Sequence, residues 1–142
     1  MNCPDCKTEL VKKYYKGMIE VETCPRCRGM WLDLVELDQL EDTIFDNDAQ
    51  KGSLFHYQKR GDRLCPHCGL PMDEFQYRLF DLHLNYCAVH EHGFWLDAGE
   101  DERVTSLMAR RAQNMHRREE AESEWKQVLR NMHTFLRKRD GG

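Results

Sequence analysis

Apolar and charged residues alternate with period two over Ile19-Glu20-Val21-Glu22-Thr23. Together with Leu10 to Tyr15 on the far side of Lys16-Gly17, this predicts a β-hairpin with glycine at the turn. The same alternation returns in Phe75, Tyr77 and Leu79, then Leu82, Leu84 and Tyr86. It predicts a second hairpin that turns near Phe80-Asp81 without a glycine. After each hairpin the period lengthens. Leu34, Leu37 and Leu40 fall at helical spacing to about Asp42, and Asp33 with Glu36 three residues on forms a capping pair, repeated by Asp97 and Glu100. Val104, Leu107, Met108, Arg111 and Met115 form one helical stripe, and Trp125, Val128, Leu129, Met132, Phe135 and Leu136 a second. No Pro or Gly interrupts the chain from 100 to Gly141. The pattern therefore predicts one long helix, or two helices folded back on each other. Asp46 to Gly52 is polar and reads as a linker, with Ile44, Phe45, Leu54, Phe55 and Tyr57 around it expected to pack on a neighbour.

Laid over this pattern is a repeat. Cys3-Pro4-Asp5-Cys6, Cys24-Pro25-Arg26-Cys27 and Gly29-Met30-Trp31-Leu32-Asp33 are followed by Cys65-Pro66-His67-Cys68, Cys87-Ala88-Val89-His90 and Gly93-Phe94-Trp95-Leu96-Asp97. A unit of this size buries too little apolar surface to fold unaided. The seven cysteines are an odd number, set in pairs two residues apart, which suits a shared cation and not disulfides. The expected ligands are Cys3, Cys6, Cys24 and Cys27 in the first site. In the second they are Cys65, Cys68 and Cys87 with His90, which keeps the two-residue spacing. His92 competes for that role, because it directly precedes Gly93 and the second copy carries one extra residue there. The donor sets suit two Zn2+ per chain. Iron in a rubredoxin-like centre is the competitor, and the histidine and the proline-bearing turns favour zinc. Four protein donors per site leave no position for water or substrate, so the chain is expected to be non-enzymatic, with no catalytic residues. Asp33, Glu36, Asp97 and Glu100 are explained by capping. His56, His67, His83, His116 and His133 stand alone and read as ordinary histidines. Trp31 and Trp95 are expected to cover the metal knuckle and pin the helix to the hairpin, with an exposed stacking platform as the alternative.

Cys-Pro-x-Cys, a hairpin, a second Cys-Pro-x-Cys and then Gly-x-Trp-Leu-Asp leading to Glu36 resembles the zinc-finger family related to the transcription-factor-B zinc ribbon, known from small bacterial proteins. The resemblance runs from Cys3 to about Leu40, and again from Cys65 to about Val104, departing between Cys87 and Gly93. It implies a small zinc-stabilised α+β chain: two tandem zinc ribbons, each a β-hairpin plus a short helix, followed by a long C-terminal α-helix. The expected organisation is a first ribbon at 1–43, a linker at 44–62, a second ribbon at 63–105 and a helical tail at 106–142. By its name the resemblance also suggests a link with transcription.

Charge bears on partners. Residues 1–100 carry 11 Lys and Arg against 18 Asp and Glu, whereas residues 101–142 carry 10 against 7. Between 103 and 118 there are five arginines and no acid. Acidic ribbons favour a protein partner at their surface, and the basic helical segment leaves room for nucleic acid. The second apolar stripe offers a surface for self-association, although two heptads are few for a coiled coil. No stretch is apolar enough for a membrane span. The absence of an apolar leader and the metal-type cysteines lead to the expectation of a cytoplasmic protein.

Overall fold

The computed structural model describes residues 1–140. Gly141 and Gly142, the end of the expected tail, lie outside the described residues. Two compact units are present, residues 1–109 and 110–142.

In the first unit, β1 (Val11–Tyr15), β2 (Ile19–Thr23), β3 (Met30–Leu32), β4 (Phe55–Leu64), β5 (Pro71–Tyr77), β6 (His83–Tyr86) and β7 (Phe94–Leu96) form one antiparallel sheet in the order β1-β2-β3-β7-β6-β5-β4. Both hairpins form where the alternation places them. Lys16 and Gly17 turn the first with φ of 51° and 73°, and Met18 N–H donates to Tyr15 O. The second turn uses the same left-handed pair without glycine, Arg78 at 46° and Leu79 at 64°, closed by Phe80 N–H on Tyr77 O. Leu79, expected to alternate with the strand, is therefore an exposed turn residue.

The sheet is continuous because β3 and β7 pair, with Met30 opposite Leu96, Trp31 opposite Trp95 and Leu32 opposite Phe94. Alternation then sorts the side chains by face. On one face Ile19, Val21, Met30, Leu32, Phe75, Tyr77, Leu84, Phe94 and Leu96 form the main core. Leu37 and Leu40 of α1 (Leu34–Asp42) cover it, with Val104, Leu107 and Met108 of α3 (Glu100–Asp140). On the other face Trp31 and Trp95 join Cys3, Cys24, Cys65, Cys87, Leu10 and Met72. The glycines of the repeat follow from this pairing. A Cβ on Gly29 would lie 2.2 Å from a ring carbon of Trp95, and one on Gly93 would lie 2.6 Å from Leu32 O and 3.1 Å from a ring carbon of Trp31. Each tryptophan thus packs on the other copy's glycine.

Two further contacts cross between the copies. Tyr15, beside the first turn, donates its hydroxyl to Asp101 Oδ2 of α3 at 2.6 Å. Tyr77, beside the second, donates to Glu41 of α1, which also accepts from Arg78 at 2.7 and 3.0 Å.

The segment 44–62, expected as a linker, is structured. It holds α2 (Asp48–Lys51) and most of β4. Lys51 is buried, with its ammonium 2.6 Å from Asp42, 2.7 Å from Asp48, 3.2 Å from Asp38 and 3.6 Å from Glu41. The Phe55 ring lies 4.6 Å from Phe75 and 4.8 Å from Tyr86, anchoring β4 as an edge strand. A central Gln-Lys-Arg-Gly-Asp-Arg stretch hides this strand from a hydropathy pattern. The ribbons at 1–43 and 63–105 accordingly share one body with the intervening segment. The helix α3 starts at Glu100, where the second capping pair places it, and its first turns are core. In the second unit the helix runs on as one element to Asp140.

Candidate metal centres

Each site is built from two tight turns. In the first, Cys6 N–H donates to Cys3 Sγ at 3.3 Å and Cys27 N–H to Cys24 Sγ at 3.4 Å. The residue after each second cysteine, Lys7 or Arg28, is left-handed (φ 60° and 64°), and its N–H returns to the carbonyl of the first cysteine. This turn aims both sulfurs of a pair to one side, and the β1–β2 hairpin brings the two pairs together. One atom from each of Cys3, Cys6, Cys24 and Cys27 lies within 4.8 Å of the others, and the Cys3 and Cys27 sulfurs are 3.6 Å apart. A tetrahedron with zinc–sulfur bonds of about 2.3 Å has edges of ~3.8 Å. The cluster is therefore spaced for one ion, and all seven cysteines are free thiols.

The second site repeats the arrangement with one change. Cys65, Cys68 and Cys87 converge with His92, not His90. The His92 Nδ1 lies 3.7 Å from Cys87 Sγ and 3.8 Å from Cys65 Sγ, and the Cys68 and Cys87 sulfurs are 3.8 Å apart. The expectation of His90 is corrected on this geometry. Residue spacing counts positions along the chain, whereas coordination depends on distance in space. His90 occupies the turn position of Cys27, and Glu91 is left-handed (φ 54°) as Arg28 is. The inserted residue follows, before the chain rejoins the common frame at Gly93, whose carbonyl accepts from Cys87 N–H as Gly29 accepts from Cys24 N–H. That insertion is His92, and it supplies the ligand while His90 stays exposed. The aligned Gly93 and the single extra residue were the signal available in the sequence.

The electrostatics suit cation binding. Burial raises the Cys24 thiol, but N–H groups of Cys27 and Arg26 outweigh it and bring the thiol down to about 7. Cys87 is lowered likewise, its burial outweighed by backbone N–H groups of His90 and His92. Burial pushes Cys27 and Cys65 up to about 12. A cation replaces these protons when it binds. Burial and the neighbouring His67 and His90 imidazoles lower the His92 pKa, a shift toward the neutral ring that a ligand needs. His67, expected to stand alone, lies against His92 with ring centroids 3.9 Å apart and planes tilted by 32°. A third group of donors, Asp38, Asp42 and Asp48, already surrounds the Lys51 ammonium.

Residues 2–43 match the family described as Transcription factor zinc-finger. The match covers the N-terminal ribbon. The match and the two donor sets together identify a zinc-binding chain whose sites fit two zinc ions. The match ends at residue 43, and the second ribbon is tied to the first by its order of knuckle, hairpin, knuckle, short strand and helix. No curated protein and no solved structure matches the chain.

The cap expectations hold in full for one ribbon and in part for the other. Glu36 N–H donates to Asp33 Oδ1 at 2.8 Å and Asp33 N–H to Glu36 Oε2 at 3.4 Å, a complete capping box. In the second ribbon Asp97 N–H still donates to Glu100 at 3.0 Å. The Asp97 carboxylate, however, accepts from Trp95 Nε1 at 3.2 Å and from Arg63 at 2.9 and 3.1 Å. Arg63 also reaches Asp5, inside the first knuckle, at 3.0 Å. Trp31 and Trp95 are buried between the ribbons, 6 % and 0 % exposed, which fits packing and leaves neither as a stacking platform. No helix of the described residues is long and apolar enough to cross a membrane.

Proposed function

We propose that this chain is a non-enzymatic, transcription-related adaptor, in which zinc builds a rigid double-ribbon body that recognises a protein partner. The observation that carries this reading is the closed donor set. Each site draws four atoms from the protein, so zinc there holds structure and has no coordination position to offer a substrate. Thiolates committed to zinc are also poor redox nucleophiles. The excess of acid over base in residues 1–100 favours a protein surface over phosphate for the body. A second reading, nucleic acid bound along the helix, is favoured only by Arg110, Arg111, Arg117 and Arg118, which have no acid among them.

Cross-linking of the zinc-loaded chain in its native extract, read by mass spectrometry, tests the first reading. A defined protein adduct at body residues, lost in a Cys24→Ser variant, is the expected result. Hydrolytic or thiol–disulfide turnover by the zinc-loaded chain would sink it. Titration with unspecific DNA and RNA tests the second. The absence of any salt-dependent binding at low ionic strength removes nucleic acid as a partner.

A further inference from the structure

The helical segment from Arg110 onward carries six large apolar side chains in solvent. Trp125, Val128, Leu129, Met132, Phe135 and Leu136 are each between 38 % and 65 % exposed. Their spacing of 0, 3, 4, 7, 10 and 11 puts them on one face. Val128, Met132, Phe135 and Leu136 line an apolar depression of about 440 Å3 there. Single exposed apolar residues are ordinary, but a contiguous stripe headed by a tryptophan is the usual form of an interface.

The charges flanking the stripe say what covers it. On its N-terminal side stand Glu119, Glu120, Glu122 and Glu124, without a base. On its C-terminal side the sequence reads Arg137-Lys138-Arg139. The stripe is centred between Arg130 and Asn131. A second copy laid antiparallel about that point sets Trp125 against Leu136 and Leu129 against Met132. It also brings the acidic end of one copy, with Glu122 and Glu124, over the basic end of the other at 137–139, and each of these contacts occurs twice by the two-fold symmetry. Val128 and Phe135 share one flank of the stripe, and the same two-fold places that flank against itself. Parallel pairing would instead stack the glutamate block on the glutamate block and base on base, which is unfavourable. We infer that residues 119–139 form an antiparallel self-association helix, and that the occupant of the apolar stripe is a second copy of this chain. This inference is independent of what the ribbon body recognises.

Sedimentation equilibrium of the full zinc-loaded chain tests it. A concentration-dependent monomer–dimer equilibrium is expected, abolished by Trp125→Ala together with Leu129→Ala. Orientation is read from charge reversal. Glu122→Arg with Glu124→Arg, and Arg137→Glu with Lys138→Glu and Arg139→Glu, should each weaken the dimer roughly tenfold, and combining the two sets should restore it. Trp125, Leu129, Glu122, Glu124 and Arg137 are exposed, so two bound zinc ions per chain and unchanged helical circular dichroism confirm that a variant is folded. A monomer at every concentration overturns the proposal. So does a dimer indifferent to either set of reversals, or one that the combined reversal fails to rescue.

Discussion

His90 and His92 differ by two positions in sequence and by their whole role in space. Only the ring of His92 comes within 3.8 Å of two of the sulfurs. His92→Ala should reduce the chain from two zinc ions to one under a weak chelator. The loss of affinity at that site should exceed the ~10–100-fold typical of removing an outer-shell partner. His90→Ala should keep both ions, as measured by elemental analysis after gel filtration; one retained ion would reverse the assignment. The cysteines were legible because thiolate pairs at this spacing have few other uses. The histidine was not, because a one-residue insertion after a left-handed turn shifts the ligand without altering the motif. The glycines before each Met-Trp or Phe-Trp carried a related signal, a position without a side chain next to a large ring, but the ring belongs to the other ribbon. Gly29→Ala places a methyl inside the space of the Trp95 ring. It should cost about 2–3 kcal/mol in denaturant unfolding of the zinc-loaded chain. Combining it with Trp95→Leu should show a coupling that the two single changes do not predict by addition.

Hairpins and helices were readable from periodicity, and the repeat carried the reading from one copy to the other. Strand β4 was not. Its central residues are charged because it is an edge strand, and only Phe55 at its start reports the packing. The helix N-termini show how one capping rule is used twice with different partners. In α1 burial and the Asp33 charge raise the Glu36 carboxyl to about 7. In α3 burial and the Asp97 charge raise Glu100 to about 7, against the opposing Asp97 N–H donor. A carboxyl raised above its unfolded value of ~4.3 binds more protons folded than unfolded. Its contribution is therefore present below about pH 4.5 and is lost as pH climbs through about 7. Glu36→Gln with Glu100→Gln should remove that slope. With zinc in excess, melting temperatures across pH 5.5–7.5 should show the variant gaining on the wild type as pH rises. The difference should be on the order of 1 kcal/mol, given the partial exposure of both groups. Ligand protonation acts equally on both proteins and cancels in the difference. Parallel curves would show that these carboxyls do not titrate in the window.

Two tandem ribbons in sequence would be two small domains, each held by its own ion. The sheet makes them one body, because β3 has only three residues and lies between β2 and β7. Trp31 and Trp95 face each other across that pairing, and Arg63 ties the first knuckle to the second ribbon through Asp5 and Asp97. Neither ribbon can bury Met30, Trp31 and Leu32, or Phe94, Trp95 and Leu96, without the other. A structural zinc site contributes an apparent ~10–16 kcal/mol of folding free energy. Where folding is shared across one core, each ion stabilises the surface the other site needs, and the coupling must be reciprocal. Occupying one site should accordingly raise the affinity of the other. Cys65→Ser with Cys68→Ser removes the second site. It should weaken zinc at Cys3, Cys6, Cys24 and Cys27 by roughly tenfold or more, a coupling of about 1.4 kcal/mol. Cys3→Ser with Cys6→Ser should weaken the second site by the same factor. Competition titrations against a chromophoric chelator measure both, and in the wild type the two ions should leave together. Two independent steps, with each site keeping its affinity when the other is destroyed, would mean that the ribbons fold alone and that the β3–β7 seam only docks them.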